Sequence, residues 1–170
     1  ERGVPEGRFI GMDAGIGLTL GGQNQGSAAS GRTVLLTALA SAHEELSVDE
    51  AGRHLYFGVV LDFDGFRLYH SGDCVPYRGL TEALGNLDID AALLPVNGRD
   101  EYRSNNGIPG NFTASEAVEL CRAAGISTVI PHHFGMFDFN TADPAEVEKV
   151  LAGSGLKYII PAYGKKFAIV

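Results

Sequence analysis

Short apolar runs alternate with polar, glycine-rich breaks along the chain, and the spacing of the apolar positions assigns most of its elements. Thr33 to Ala40 is β-branched and aliphatic and reads as a strand. Leu55 to Phe63 and Phe66 to Tyr69 are two strand patterns separated only by Asp64-Gly65. That dipeptide predicts a hairpin, because a type I′ turn needs positive φ at both central positions. Gly15 to Leu20 is a short strand pattern, and Gly21 to Gly31 reads as a loop of Gly, Ser, Asn and Gln. Gly15 and Gly17 are read as turn residues, since no helix pattern and no Lys-Ser or Lys-Thr pair follows them to form a phosphate cradle.

In the second half, helical and strand patterns alternate. Leu80, Ala83, Leu84 and Leu87 recur at helical spacing, and Asp90 to Val96 is a continuous apolar run typical of a strand buried on both faces. Thr113 and Glu116 form a capping-box signature for a helix that Gly125 stops. Ser127 to Pro131 is the next strand, and Asp143-Pro144 opens a helix to about Ala152 with proline in its first turn. Tyr158 to Ile160 and Phe167 to Ile169 are expected to be closing strands, whereas Ser41 to Arg53 and Glu101 to Gly110 are expected to be exposed loops. The pattern predicts an α/β layer protein with one sheet covered by helices on one side.

The 170 residues are about one domain long, and the net charge of −8 changes the picture by exclusion. Phosphate contacts need clustered Lys and Arg, so nucleic acid is not an expected partner, and a nuclease reading is disfavoured. Cys74 and Cys121 form no CxxC pair and are expected to be reduced thiols in a soluble cytoplasmic protein, with no membrane association. The opening Glu1 to Arg8, without Met, reads like the tail of a helix and a loop, as expected of a piece of something longer.

Candidate chemistry lies where the apolar runs end. Leu68-Tyr69-His70 stops at Ser71-Gly72 and then presents Asp73, while the runs before His43 and before His132-His133 also end in residues that bind metals or protons. Imidazole and carboxylate suit borderline metals such as zinc, manganese or iron. Each residue also has an ordinary reading: His43 in a loop, Asp73 as a turn former, His133 as a capping histidine.

The segments Leu68 to Asp73, Leu93 to Asp100, Val129 to Phe134 and Asn140 to Pro144 resemble the C-terminal half of the metallo-β-lactamase fold superfamily. The resemblance covers nearly the whole chain and is nearest to the branch containing L-ascorbate-6-phosphate lactonase. It implies half of an αββα sandwich, a mixed sheet with flanking helices, in which His43, Asp73 and His133 are metal ligands and Asp73 bridges two divalent ions, zinc or manganese. It further implies hydrolysis of a small anionic lactone or ester by a metal-activated hydroxide, with Asn97, Arg99 and Asp100 lining the substrate pocket. His132 would be a catalytic proton donor to the leaving oxygen, His70 would lie in the core or behind the ligands, and Tyr77, Arg78 and Tyr102 are further pocket candidates.

The family's H-x-H-x-D-H signature is absent from this chain. The chain alone is therefore expected to bind metal weakly, to be inactive by itself, and to need a preceding segment of similar size. A metal-poor, non-catalytic binding module is the alternative. An uncovered sheet face predicts an exposed apolar surface and either self-association, as in a homo-oligomer, or marginal stability of the chain expressed alone.

Overall fold

A computed structural model describes residues 3, 5–21 and 33–169. Seven strands lie in sequence order in one sheet: β1 Gly17–Leu20, β2 Val34–Ala40, β3 Phe57–Phe63, β4 Phe66–His70, β5 Ala91–Pro95, β6 Thr128–His132 and β7 Lys157–Tyr158. The first four pair antiparallel as a meander, and β4 to β7 pair parallel. Parallel neighbours need crossovers, and the helices α1 Leu80–Gly85, α3 Ala114–Ala124 and α4 Pro144–Ala152 lie in them. A further short helix, α2 Glu101–Asn105, precedes α3.

The register explains the layering. Val60 stands opposite Tyr69, Tyr69 beside Ala92 and Ala92 beside Val129, a row that is buried beneath the helices. The next row, Val59, His70, Leu93 and Ile130, points to the other face. β5 and β6 are nearly sealed on both faces, whereas Leu20, Leu35, Phe57 and Phe63 of the antiparallel strands are exposed. The helix-covered mixed sheet expected from the sequence is present, and so is exposed apolar surface.

Asp64 and Gly65 both have positive φ, as the hairpin required, and Thr113 and Glu116 form the complete capping box. The sequence reading differs from the structure at four places. Glu101 to Asn105 is helical because the Asp100 side chain accepts from the Arg103 backbone N–H and caps it. Phe167 to Ile169 is not a strand, and the predicted strand at Tyr158 to Ile160 is realised as two residues, Lys157 and Tyr158. Ser41 and Ala42 are buried rather than exposed, because the chain leaving β2 stays bonded to the segment after β4. The loop expected over Gly21 to Gly31 falls almost wholly outside the described residues.

Candidate metal centre

His43, Asp73 and His133 follow the carboxyl ends of β2, β4 and β6. β2 and β4 are both antiparallel to β3, and β4 is parallel to β6 through β5, so the three ends share one sheet edge. Ligand sites in open α/β sheets gather at carboxyl ends of strands for the same topological reason.

The backbone around Asp73 is held from two sides. The Ser41 hydroxyl lies 3.0 Å from both the Ser71 and the Asp73 carbonyl oxygens, and the Val75 N–H donates to the Ala42 carbonyl at 2.9 Å. On the other side, the Cys74 N–H donates to Asn111 Oδ1 at 2.7 Å. Close approach here depends on Gly58, where a Cβ would lie 2.7 Å from the His70 carbonyl oxygen and 2.9 Å from Ser71 Cα. Glu44, beside His43, and His133 itself have φ of 72° and 61°. Left-handed backbone is unfavourable for such residues, so the surrounding contacts must hold it in place.

The carboxylate of Asp73 stands between the two imidazoles. Its Oδ2 is 3.8 Å from His43 Nε2, and its Oδ1 is 3.4 Å from His133 Nε2. Among the described residues no three donors converge on a single point. Each carboxylate oxygen instead faces a different histidine. This donor set fits zinc or manganese in its chemistry. An open hollow of about 410 Å³ adjoins Asp73 and His43 and is walled by Leu55, Tyr56 and Phe57.

His132 and His70 lie behind this edge with ring centroids 4.8 Å apart. Burial, reinforced by the neighbouring His70 and His133, lowers the His132 pKa to about 4, although a bond with the Leu93 backbone opposes the shift. His132 is therefore neutral at pH 7, and its buried Nε2 has no hydrogen-bond partner among the described residues. Burial also lowers the pKa of His70, whose Nδ1 accepts from the Gly72 N–H at 2.9 Å.

The expected substrate residues have other partners. Asn97 is buried, donating to Asn140 Oδ1 at 2.7 Å and accepting from Asn111 Nδ2 at 3.0 Å. Arg99 pairs through both terminal nitrogens with Glu116 of the capping box, and Asp100 pairs with Arg103 while capping α2. No hydrogen bond or ion pair joins these three to His43, Asp73 or His133 among the described residues. The Tyr77 hydroxyl donates to the Ala40 carbonyl, while Arg78 and Tyr102 are exposed. Sequence reasoning missed Ser41, Tyr56, Arg103 and Asn111. Of these, Ser41 alone carried a local signal, as a small polar residue two places before a candidate ligand at the end of an apolar run.

The helix-covered mixed sheet thus carries a histidine–aspartate–histidine edge at the carboxyl ends of its strands. The family described as Beta-lactamase superfamily domain matches residues 10–134, and the chain belongs to that metallo-β-lactamase superfamily. A UPF0173 metal-dependent hydrolase of Rubrobacter xylanophilus is 30% identical over 140 residues, covering 79% of this chain and 53% of the relative. A UPF0173 metal-dependent hydrolase of Korarchaeum cryptofilum is 35% identical over 101 residues, covering 59% and 40%. Among solved structures, Igni18, a metallo hydrolase of Ignicoccus hospitalis, superposes with a TM-score of 0.60 at 21% identity, over 92% of this chain and 58% of that one. The chain thus spans about half the length of the relatives it matches.

Proposed function

We propose that this chain contributes one side of a metal-dependent hydrolase site, in which His43, Asp73 and His133 hold two divalent ions. The observation that carries this reading is the placement of Asp73, one oxygen 3.8 Å from His43 Nε2 and the other 3.4 Å from His133 Nε2. The names of the relatives support the reaction class. Divalent ions, when bound, supply Lewis acidity and bring the pKa of a water toward neutrality.

The chain's own residues supply position and proton handling. Asp73 would set the spacing of the two ligand histidines, and the hollow walled by Leu55, Tyr56 and Phe57 would receive the substrate beside them. The proposed substrate is a small anionic lactone or ester, as in the lactonase-like branch. Arg99 could grip its charge only by exchanging Glu116 for it, which makes recognition competitive. His132 is neutral at pH 7 and has no acid proton to give a leaving oxygen; with its ring bonded to the Leu93 backbone, its buried Nε2 would act as an acceptor toward a group that reached it.

The test is hydrolysis of a lactone and ester panel, with zinc or manganese supplied, by the natural polypeptide that carries this chain. Asp73→Asn should lower kcat/KM at least about a thousandfold, the rate equivalent of the several kcal/mol that metal ions contribute. Unchanged hydrolysis would end the proposal. A metal-poor binding module is the second reading, favoured by the lack of any three convergent donors among the described residues. It predicts no metal in the natural polypeptide purified without chelators.

A further inference from the structure

Three asparagines and an arginine remain outside the chemistry proposed for Asp73, and they form one chain of bonds. The Cys74 N–H, immediately after Asp73, donates to Asn111 Oδ1 at 2.7 Å, and Asn111 Nδ2 donates to Asn97 Oδ1 at 3.0 Å. Asn97 Nδ2 donates to Asn140 Oδ1 at 2.7 Å. Arg103 ends the series, donating from Nη1 to Asn140 Oδ1 at 3.0 Å and to the Asn97 carbonyl at 2.9 Å. Asn97 and Asn111 are each 1% exposed and Arg103 is 7% exposed, so all of the series but its half-buried Asn140 end is sheltered from competing water.

The two ends of this series are the two ligand segments. Cys74 belongs to the turn that presents Asp73, and Asn140 lies in the loop that leaves His133. We propose that Asn111, Asn97 and Asn140 are positioning residues whose amide relay fixes the Asp73 turn relative to the His133 loop. The inference rests on Asp73 and His133 being ligands only for its consequence, since the relay is a property of the metal-free chain.

The surrounding backbone is built to admit the relay. Phe112 N–H donates to the Cys74 carbonyl at 3.1 Å, Asn111 N–H to Gly98 at 3.1 Å, and Gly98 N–H to Phe112 at 2.9 Å. This stitching brings the segment at 110–112 between the two ligand segments. It also crowds Gly110, where a Cβ would fall 2.1 Å from Arg99 Cβ and 2.8 Å from the Gly98 carbonyl oxygen. Asn111 and Asn97 each use the amide oxygen toward one neighbour and the nitrogen toward the next, and Asn140 Oδ1 accepts from both Asn97 and Arg103. Such ordered chains polarise one another, and a missing member leaves buried polar atoms unpaired. Packing alone would specify none of these directions.

The relay makes a long-range prediction that simple loop stability does not. Asn140→Ala, in a half-buried loop position chosen because it should not prevent folding, should speed amide exchange at Cys74 about tenfold beyond any global change in stability. Thr141→Val removes the Thr141 hydroxyl that accepts from the Gly135 N–H at 2.6 Å, and it loosens the same loop without touching the relay. Cys74 should stay protected in that variant. Exchange is read by NMR on the metal-free chain, and cobalt(II) titration is followed by visible absorption on the same samples. If wild type binds cobalt, Asn140→Ala should weaken it about tenfold and change the band shape, whereas Thr141→Val should do neither. If the wild-type chain binds none, as expected of one side of a site, the exchange result still decides the relay. Equal Cys74 exchange in wild type and Asn140→Ala, or equal acceleration in both variants, would overturn the proposal.

Discussion

The parallel and antiparallel halves of the sheet are built differently. β5 and β6 are buried along almost their whole length and lie against α3, whereas β1 is almost wholly exposed and β2 is only partly covered. Parallel strands need helical crossovers, and those helices cover the half that creates them; β3 and β4 are joined by the Asp64-Gly65 turn, and among the described residues no helix lies between β2 and β4. β4 belongs to both halves, pairing antiparallel with β3 and parallel with β5. Asp73 follows β4, so the carboxylate stands at the seam, with His43 supplied by the antiparallel half and His133 by the parallel half. The comparison teaches that the proposed centre is held by two regions of unequal burial.

Several substitutions can break or sharpen that contrast. Leu94→Ala, in the fully buried parallel half, should cost about 2–5 kcal/mol in urea unfolding, and Leu35→Ala, 45% exposed on β2, less than about 1 kcal/mol. Similar costs would remove the distinction. At the seam, Gly58→Ala should cost about 3 kcal/mol, because its Cβ meets backbone atoms of His70 and Ser71 that cannot rotate away.

The pH dependence probes the histidines behind the edge. The His132 pKa falls from 6.5 unfolded to about 4 folded, so between these values the unfolded chain binds more protons and stability declines as pH falls. The expected loss from this group is about 2 kcal/mol between pH 7 and pH 5. His132→Leu should flatten that part of the profile in denaturant melts, and an unchanged slope would exclude His132 as its source. The smallest effect is expected at Tyr69, whose buried hydroxyl has no hydrogen-bond partner among the described residues. Tyr69→Phe should alter stability by less than about 0.5 kcal/mol, or raise it, in thermal melts.

The strands and helices were legible where periodicity and local chemistry agreed, as in the Asp64-Gly65 hairpin and the capping box. Phe167 to Ile169 has an apolar pattern but acquires no strand partner among the described residues, and pairing cannot be read from three residues. The helix at Glu101 depends on one cap, Asp100, whose carboxylate the sequence reading had assigned to a substrate. Strand ends exposed His43, Asp73 and His133 as candidates that could converge at one edge of a sheet, and the resemblance assigned them ligand roles. The Arg99–Glu116 pair and the asparagine series escaped because they join residues distant in sequence through hydrogen bonds that leave no periodic trace.

Calorimetric titration of zinc and of manganese into chelator-treated protein tests the central claim most directly, with wild type and Asp73→Ala compared side by side. If Asp73 joins His43 and His133 around divalent ions, wild type binds metal and the substitution weakens binding by at least about a hundredfold, while leaving the melting temperature of the metal-free protein nearly unchanged. Equal metal binding by the two proteins would contradict the account.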